Sequence, residues 1–205
     1  FSDRDVVRAF ATAKVSSMLS DQIRNELQSI LGKDNVFTSK ADRICYSYDA
    51  TQQSFLPDVV VHPTSTDEIS RLMQLANREM IPVFPRGAGS GFTGGSLPTR
   101  GGIVLCTERM DRILEIDDEN LVATVEPGVV TEQFQMAVEK LGLFYPPDPA
   151  SLKFSTLGGN VAECAGVDGA GQLVAIDGRL AVERHRHRHG HGDPHLRSRS
   201  HHLRW

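Results

Sequence analysis

Between residues 20 and 160 the chain alternates short apolar runs with segments whose apolar residues return every three or four positions. Ile23, Leu27, Ile30 and Leu31 share one helical face, behind Ser20 or Asp21 as cap and ahead of Gly32 as terminator. Val36-Phe37-Thr38 predicts a short strand, and Asp58 to Pro63 predicts a buried strand stopped by proline. Ser65-Thr66-Asp67-Glu68 has the form of a capping box, opening a helix with Ile69, Leu72, Met73, Leu75 and Ala76 inward. Ile81 to Phe84 is then a second strand, so Val59 to Phe84 predicts two parallel strands with a helix across them. Gly102 to Thr107 is a further strand. Ile113–Ile116 and Leu121–Val125 flank Asp117-Asp118-Glu119-Asn120 and predict a hairpin. Thr131 caps a helix carrying Phe134, Ala137, Val138 and Leu141, closed by Gly142. The pattern is that of an α+β fold with mixed sheets.

One stretch breaks the pattern. Pro85-Arg86-Gly87-Ala88-Gly89-Ser90-Gly91-Phe92-Thr93-Gly94-Gly95-Ser96-Leu97-Pro98 places five glycines between two prolines, just after an apolar run. Glycine lets a ligand approach the main chain closely, and consecutive free N–H groups form a nest suited to a phosphate or diphosphate. Arg86 at the mouth, with the hydroxyls of Ser90, Thr93 and Ser96, supplies further donors. Gly89 to Gly94 spells G-x-G-x-x-G, but the dinucleotide fingerprint needs a helix to open at once, and Gly95, Pro98, Gly101 and Gly102 forbid one. Gly89 to Ser96 nearly fits the ATP-binding G-x-x-x-x-G-K-[ST], yet Gly95 stands where lysine is required. Neither cradle applies.

The loop, taken with Tyr145-Pro146-Pro147-Asp148-Pro149-Ala150-Ser151 and Thr156-Leu157-Gly158-Gly159-Asn160-Val161-Ala162-Glu163, resembles the FAD-binding domain of the vanillyl-alcohol oxidase/p-cresol methylhydroxylase superfamily. The likeness runs from about Met18 to Gly166, and within the superfamily it is to the FAD-linked subunit of glycolate oxidases and to D-lactate dehydrogenases. It implies a PCMH-type FAD-binding domain of two small α/β subdomains, with the C-terminal substrate domain absent. Carried over by position, it places Pro85, Arg86, Gly87, Ala88, Gly89, Ser90, Gly91, Gly94, Gly95 and Ser96 along the diphosphate and ribityl chain. Pro147, Asp148, Ser151, Gly158, Gly159 and Asn160 line the rest of the cofactor. Some members tether FAD to a histidine in the glycine loop; Ser90 occupies that place here, so the FAD is expected to be non-covalent. The implied chemistry is oxidation of a small 2-hydroxy acid, glycolate or D-lactate, by hydride transfer to FAD. Other oxidase subunits or an electron acceptor are the implied partners. No catalytic residue is assigned, and this chain by itself is expected to lack turnover. The alternatives are a flavin-binding module without catalysis, or an oxidoreductase acting on another alcohol, a phenol or a sugar.

Composition changes this picture only at the ends. The chain has 205 residues and a net charge of −4, which gives no nucleic-acid signal over its body, and no apolar run reaches the roughly 18 residues that span a bilayer. A cytoplasmic location follows as the expectation, peripheral to the inner membrane if partner subunits bring it there. Cys45, Cys106 and Cys164 have no metal-ligand spacing and are expected as reduced thiols; no metal site is expected. His62 is a lone imidazole with a structural role. Seven of the eight histidines follow Gly166, in an Arg- and His-rich tail of charge +3 against −7 for the rest. The resulting boundaries are a leader over 1–17, a helix and linker over 18–56, the FAD-binding domain over 57–166, and a tail over 167–205 of frameshifted or disordered character.

Overall fold

The computed structural model describes residues 19–164, 175–176 and 179–184; the expected leader and the histidine-rich end lie outside the described residues. The first helix, α1 (Asp21–Leu31), starts where Ser20 Oγ accepts from the Ile23 N–H at 3.3 Å, and a 3-10 turn (Lys33–Asn35) delivers the chain to β1 (Val36–Phe37). The segment read as linker contains a short helix, α2 (Lys40–Cys45), capped by Ser39. Then come β2 (Val59–Val61), α3 (Thr66–Arg78), β3 (Val83–Arg86) and β4 (Ile103–Cys106). Their sheet has the order β1-β2-β4-β3. Strands β2 and β3 both run parallel to β4, which lies between them, and β1 is antiparallel at the edge. The predicted strand–helix–strand unit is therefore present, with a third strand inserted between its two.

Alternate residues of a strand point to opposite faces, so Val59 and Val61 enter the first core with Ile103, Leu105, Leu27, Leu31, Leu72 and Leu75. The capping box of α3 is offset. Ser65 Oγ accepts from the Glu68 N–H at 3.3 Å, but the Glu68 carboxylate reaches back to the Thr64 N–H at 2.6 Å, one residue further out. Met73, expected inward, is 46% exposed, because the apolar stripe at Ile69, Leu72, Leu75 and Ala76 already fills the space beneath the helix.

A second core forms on the hairpin of β5 (Ile113–Asp117) and β6 (Val122–Val125), followed by α4 (Thr131–Glu139), β7 (Leu143–Phe144) and α5 (Leu157–Glu163). Thr131 is not the cap of α4. Val130 precedes the helix without a side-chain bond, and the Thr131 hydroxyl is committed elsewhere. The sheet continues past Gly166. β8 (Ala175–Ile176) and β9 (Arg179–Ala181) extend it in the order β5-β6-β9-β8, and β10 (Glu183–Arg184) pairs with β7. Leu180 and Val182 are buried against Phe134, Tyr145 and Leu157. Their two-residue alternation is the strand signal, masked in sequence by the arginines and histidines beyond it. No helix of the described residues is long and apolar enough to cross a membrane.

Leu72 is fully buried while its neighbour Met73 is not. Leu72→Ala is expected to cost about 2–5 kcal/mol in chemical denaturation, and Met73→Ala less than about 0.5 kcal/mol. Equal losses would place Met73 in the core.

Candidate functional site

The glycine loop leaves the carboxyl end of β3 and faces α5 across a cleft of about 340 Å³, within the range of small-molecule and cofactor sites. The residues from Pro85 to Gly91, with Gly95 and Ser96, line one side, and Ser151, Gly158, Gly159 and Asn160 line the other. Three residues expected there lie elsewhere. Gly94 serves its own turn, its carbonyl accepting from the Leu97 N–H; Pro147 is buried, its carbonyl accepting from Gln135 Nε2 at 2.9 Å; and Asp148 is exposed away from the cleft. The proline corner reaches the cleft through Pro149 instead. Asp49, Thr107, Pro127 and Ser155 join the lining without having carried any signal in the sequence, since each sits in an unremarkable local pattern and is brought in by the fold.

Arg86 differs from expectation in how it acts. It is only 7% exposed, and its guanidinium turns behind the loop, donating from Nη1 to the Tyr48 carbonyl at 2.7 Å and lying 5.7 Å from the Tyr46 ring centre. That guanidinium fills the space a Cβ on Gly89 would need, and Gly89 has φ of 69°. The residue is a prop beneath the cradle, not a donor at its mouth. On the other side, a Cβ on Gly87 would collide with Thr156 Oγ1, so the two walls approach at van der Waals distance there. Among the described residues, Ala88, Gly89, Ser90 and Gly91 make no hydrogen bond to the rest of the protein, which leaves their amides turned to the cleft or solvent.

The opposite wall is internally satisfied. The Leu157 N–H donates to the Val129 carbonyl and the Gly158 N–H to the Pro127 carbonyl, both at 2.9 Å, while the Gly159 N–H reaches its own cap, Thr156 Oγ1, at 3.4 Å. Asn160, expected to bond the cofactor, is 1% exposed, and its Nδ2 donates to Thr131 Oγ1 at 2.8 Å. Thr131 Oγ1 in turn lies 2.9 Å from Ser155 Oγ, so the amide holds the wall together from within. Pro127 is set by its neighbour: Glu126 accepts from Arg112 Nη2 at 2.6 Å and from the Arg112 N–H at 2.9 Å. The Arg112 guanidinium holds the Glu126 carboxyl below its ordinary range.

Behind the glycine loop lies a second polar group of residues. His62 Nδ1 is 2.9 Å from Glu108 Oε1, to which the Tyr46 hydroxyl also donates at 3.3 Å. Burial lowers the His62 pKa, and Arg109 adds to the effect against the pull of Glu108. Burial pushes the Cys106 thiol up to about 12 and, together with Glu108, pushes the Tyr46 phenol higher still. The ligand atoms of His62, Cys106 and Glu108 fall within 4.8 Å of one another. Arg86 and Arg109 already supply positive charge beside them, and the visible work of the cluster is to fix Tyr46 under the Arg86 prop.

Residues 57–177 match the model of the family described as FAD binding domain. The chain belongs to that family. It is 49% identical over 150 residues to glycolate oxidase subunit GlcD of Bacillus subtilis (strain 168), covering 73% of this chain and 32% of that protein. It is 44% identical over 110 residues to a D-lactate dehydrogenase of Anaerostipes hadrus, covering 54% and 23%. Thus the chain spans about a third or less of the length of these curated relatives. Among solved structures it is similar to an alkyldihydroxyacetonephosphate synthase, with TM-score 0.66 and 28% identity over 72% of this chain and 32% of that one. p-Cresol methylhydroxylase with substrate bound shares the fold, with TM-score 0.61 and 22% identity over 69% and 29%. The mixed α/β architecture is thus that of PCMH-type FAD-binding proteins, and the cofactor is FAD. No histidine, cysteine or tyrosine lines the cleft among the described residues, in keeping with a flavin held without a covalent bond.

Two outcomes follow from this geometry. Gly89→Ala forces the Arg86 guanidinium aside at a left-handed backbone position and is expected to cost about 1–3 kcal/mol, while Gly91→Ala, with open space around it, is expected to cost under about 0.5 kcal/mol in urea denaturation. Because the His62 pKa is lowered on folding, its contribution is complete above the ordinary value near 6.5 and is lost as pH falls below it. The melting temperature is expected to fall between pH 7.5 and 5.5, and His62→Gln is expected to flatten that fall; an unchanged slope would show His62 titrating as it does in the unfolded chain.

Proposed function

We propose that the cleft is the FAD site of a flavin-dependent 2-hydroxy-acid oxidoreductase acting on glycolate or D-lactate. The observation that carries the proposal is the row of unpartnered amides at Ala88–Gly91, facing a cleft whose other wall has spent its own helix-start amides internally. A cradle of that kind takes a diphosphate, since several N–H groups converge with no side chain between them and the ligand. The glycine at 89 is demanded by the Arg86 prop, so the cradle holds its shape before any ligand arrives. The relatives named glycolate oxidase subunit and D-lactate dehydrogenase supply the substrate class.

Within this arrangement Gly87 to Gly91 bind and orient the diphosphate, and Pro149, Ser151 and Gly158 bound the cofactor on the far side. Gly94 and Pro147 support the loops from outside. When bound, FAD supplies hydride acceptance from the hydroxyl-bearing carbon of the acid. The substrate carboxylate needs a free cation and the hydroxyl a base. Among the described cleft residues the only cation is Arg86, committed to Tyr48, and no lysine or histidine is present. A free cation to grip the substrate carboxylate is therefore to be sought outside the described residues of this cleft.

The visible spectrum after gel filtration with added FAD tests the proposal. A retained flavin band that acid precipitation releases into the supernatant is the expected result, with no bleaching of that band by D-lactate or glycolate. Bleaching would mean that this chain carries the missing groups. A colourless protein would overturn the FAD assignment of the cleft.

A further inference from the structure

A carboxylate faces the second half of the glycine loop. Glu163, the last residue of α5, accepts at Oε1 a hydrogen bond from Thr93 Oγ1 at 2.9 Å, and a Cβ on Gly95 would stand 3.0 Å from the same oxygen. Glu163 and Thr93 both line the cleft.

The two halves of the loop thus offer opposite chemistry. Ala88 to Gly91 present amides without partners. Further along, two amides are spent within the loop: the Gly95 N–H points at Thr93 Oγ1 at 3.4 Å, and the Leu97 N–H donates to the Gly94 carbonyl at 3.1 Å. A carboxylate accepts hydrogen bonds and cannot donate them, and it repels a diphosphate. The groups of a flavin dinucleotide that it suits are hydroxyls.

Resting on the FAD assignment above, the structure assigns Glu163 as the acceptor for cofactor hydroxyl groups, of the ribityl chain or of the adenosine ribose. It thereby places diphosphate at 88–91 and hydroxyls at 93–95, and which end of the dinucleotide supplies those hydroxyls fixes its direction along the loop. A cofactor hydroxyl takes over the donor position that the Thr93 hydroxyl holds.

The test is titration calorimetry on the full chain, in wild type, Glu163→Ala and Glu163→Gln, with FAD, FMN, ADP and inorganic pyrophosphate. Loss of a charge-assisted hydrogen bond is expected to weaken FAD about tenfold in Glu163→Ala, and Glu163→Gln, which keeps an acceptor, about two- to threefold. FMN weakens in parallel if the ribityl chain is the donor, and ADP if the ribose is. Pyrophosphate affinity stays within about twofold. Glu163 is exposed, so the melting temperature of the cofactor-free variants stays within about 1 °C. Unchanged FAD affinity in Glu163→Ala overturns the assignment. So does tighter binding of FAD and pyrophosphate, which would put the carboxylate against the diphosphate. Wild-type protein that binds no FAD overturns the cofactor reading and this inference with it, whereas wild-type binding with an indifferent Glu163→Ala overturns this inference alone.

Discussion

A buried guanidinium is the constraint on which the site depends. Taking a charge out of water costs several kcal/mol unless hydrogen bonds and favourable charges surround it, so Arg86 dictates what its neighbours must be. The Tyr48 carbonyl has to point inward, the Tyr46 ring has to lie beneath the guanidinium, and position 89 has to lack a side chain. Each requirement fixes a piece of backbone that touches the cleft. Tyr48 brings Asp49 into the lining, where its carboxylate is occupied by the Thr51 N–H at 2.9 Å. Tyr46 is in turn held by Glu108, whose carboxylate lies 2.9 Å from His62 Nδ1 just past the end of β2. The shape of a flexible-looking glycine loop is thus set from below, by residues of ordinary side-chain chemistry.

The facing wall solves a different problem. A short helix begins there with its first amides in a confined place, and unsatisfied N–H groups in such a place are costly. Backbone carbonyls at Pro127 and Val129 and the Thr156 hydroxyl absorb them. The Arg112–Glu126 pair anchors the turn that supplies those carbonyls, and the Asn160–Thr131–Ser155 chain anchors the helix to α4. One wall is therefore electrostatically open and the other closed, which gives the cleft a side for anions without a single free cationic side chain among its described residues.

Much of the scaffold was legible because it rests on local rules. The caps at Ser20 and Ser65, the periodicity of Leu27 and Leu72, and the hairpin about Asp117–Asn120 all follow from spacing alone. The glycine loop was legible as a cradle because five glycines have few other uses. What was not legible depends on distant partners. Nothing near Arg86 in sequence says that a carbonyl 38 residues earlier claims its guanidinium, so it looked like a phosphate donor. Asn160 looked like a cofactor ligand because its partner, Thr131, is 29 residues away. The strand at 179–181 was hidden for a compositional reason: the apolar alternation of Leu180 and Val182 is short, and its surroundings resemble a solvated tail.

The described residues form two hydrophobic clusters, and the cleft lies on the seam between the elements that carry them. The loop stands on the elements of one cluster and α5 on those of the other. On the proposed reading, a dinucleotide held between the loop of one and α5 of the other would act as mortar. Mass action adds RT ln(1 + [L]/Kd) to the folded state, about 2.7 kcal/mol when free cofactor stands at a hundred times its dissociation constant. On that reading the increment draws on both clusters at once. So placed, the flavin would be a part of the masonry.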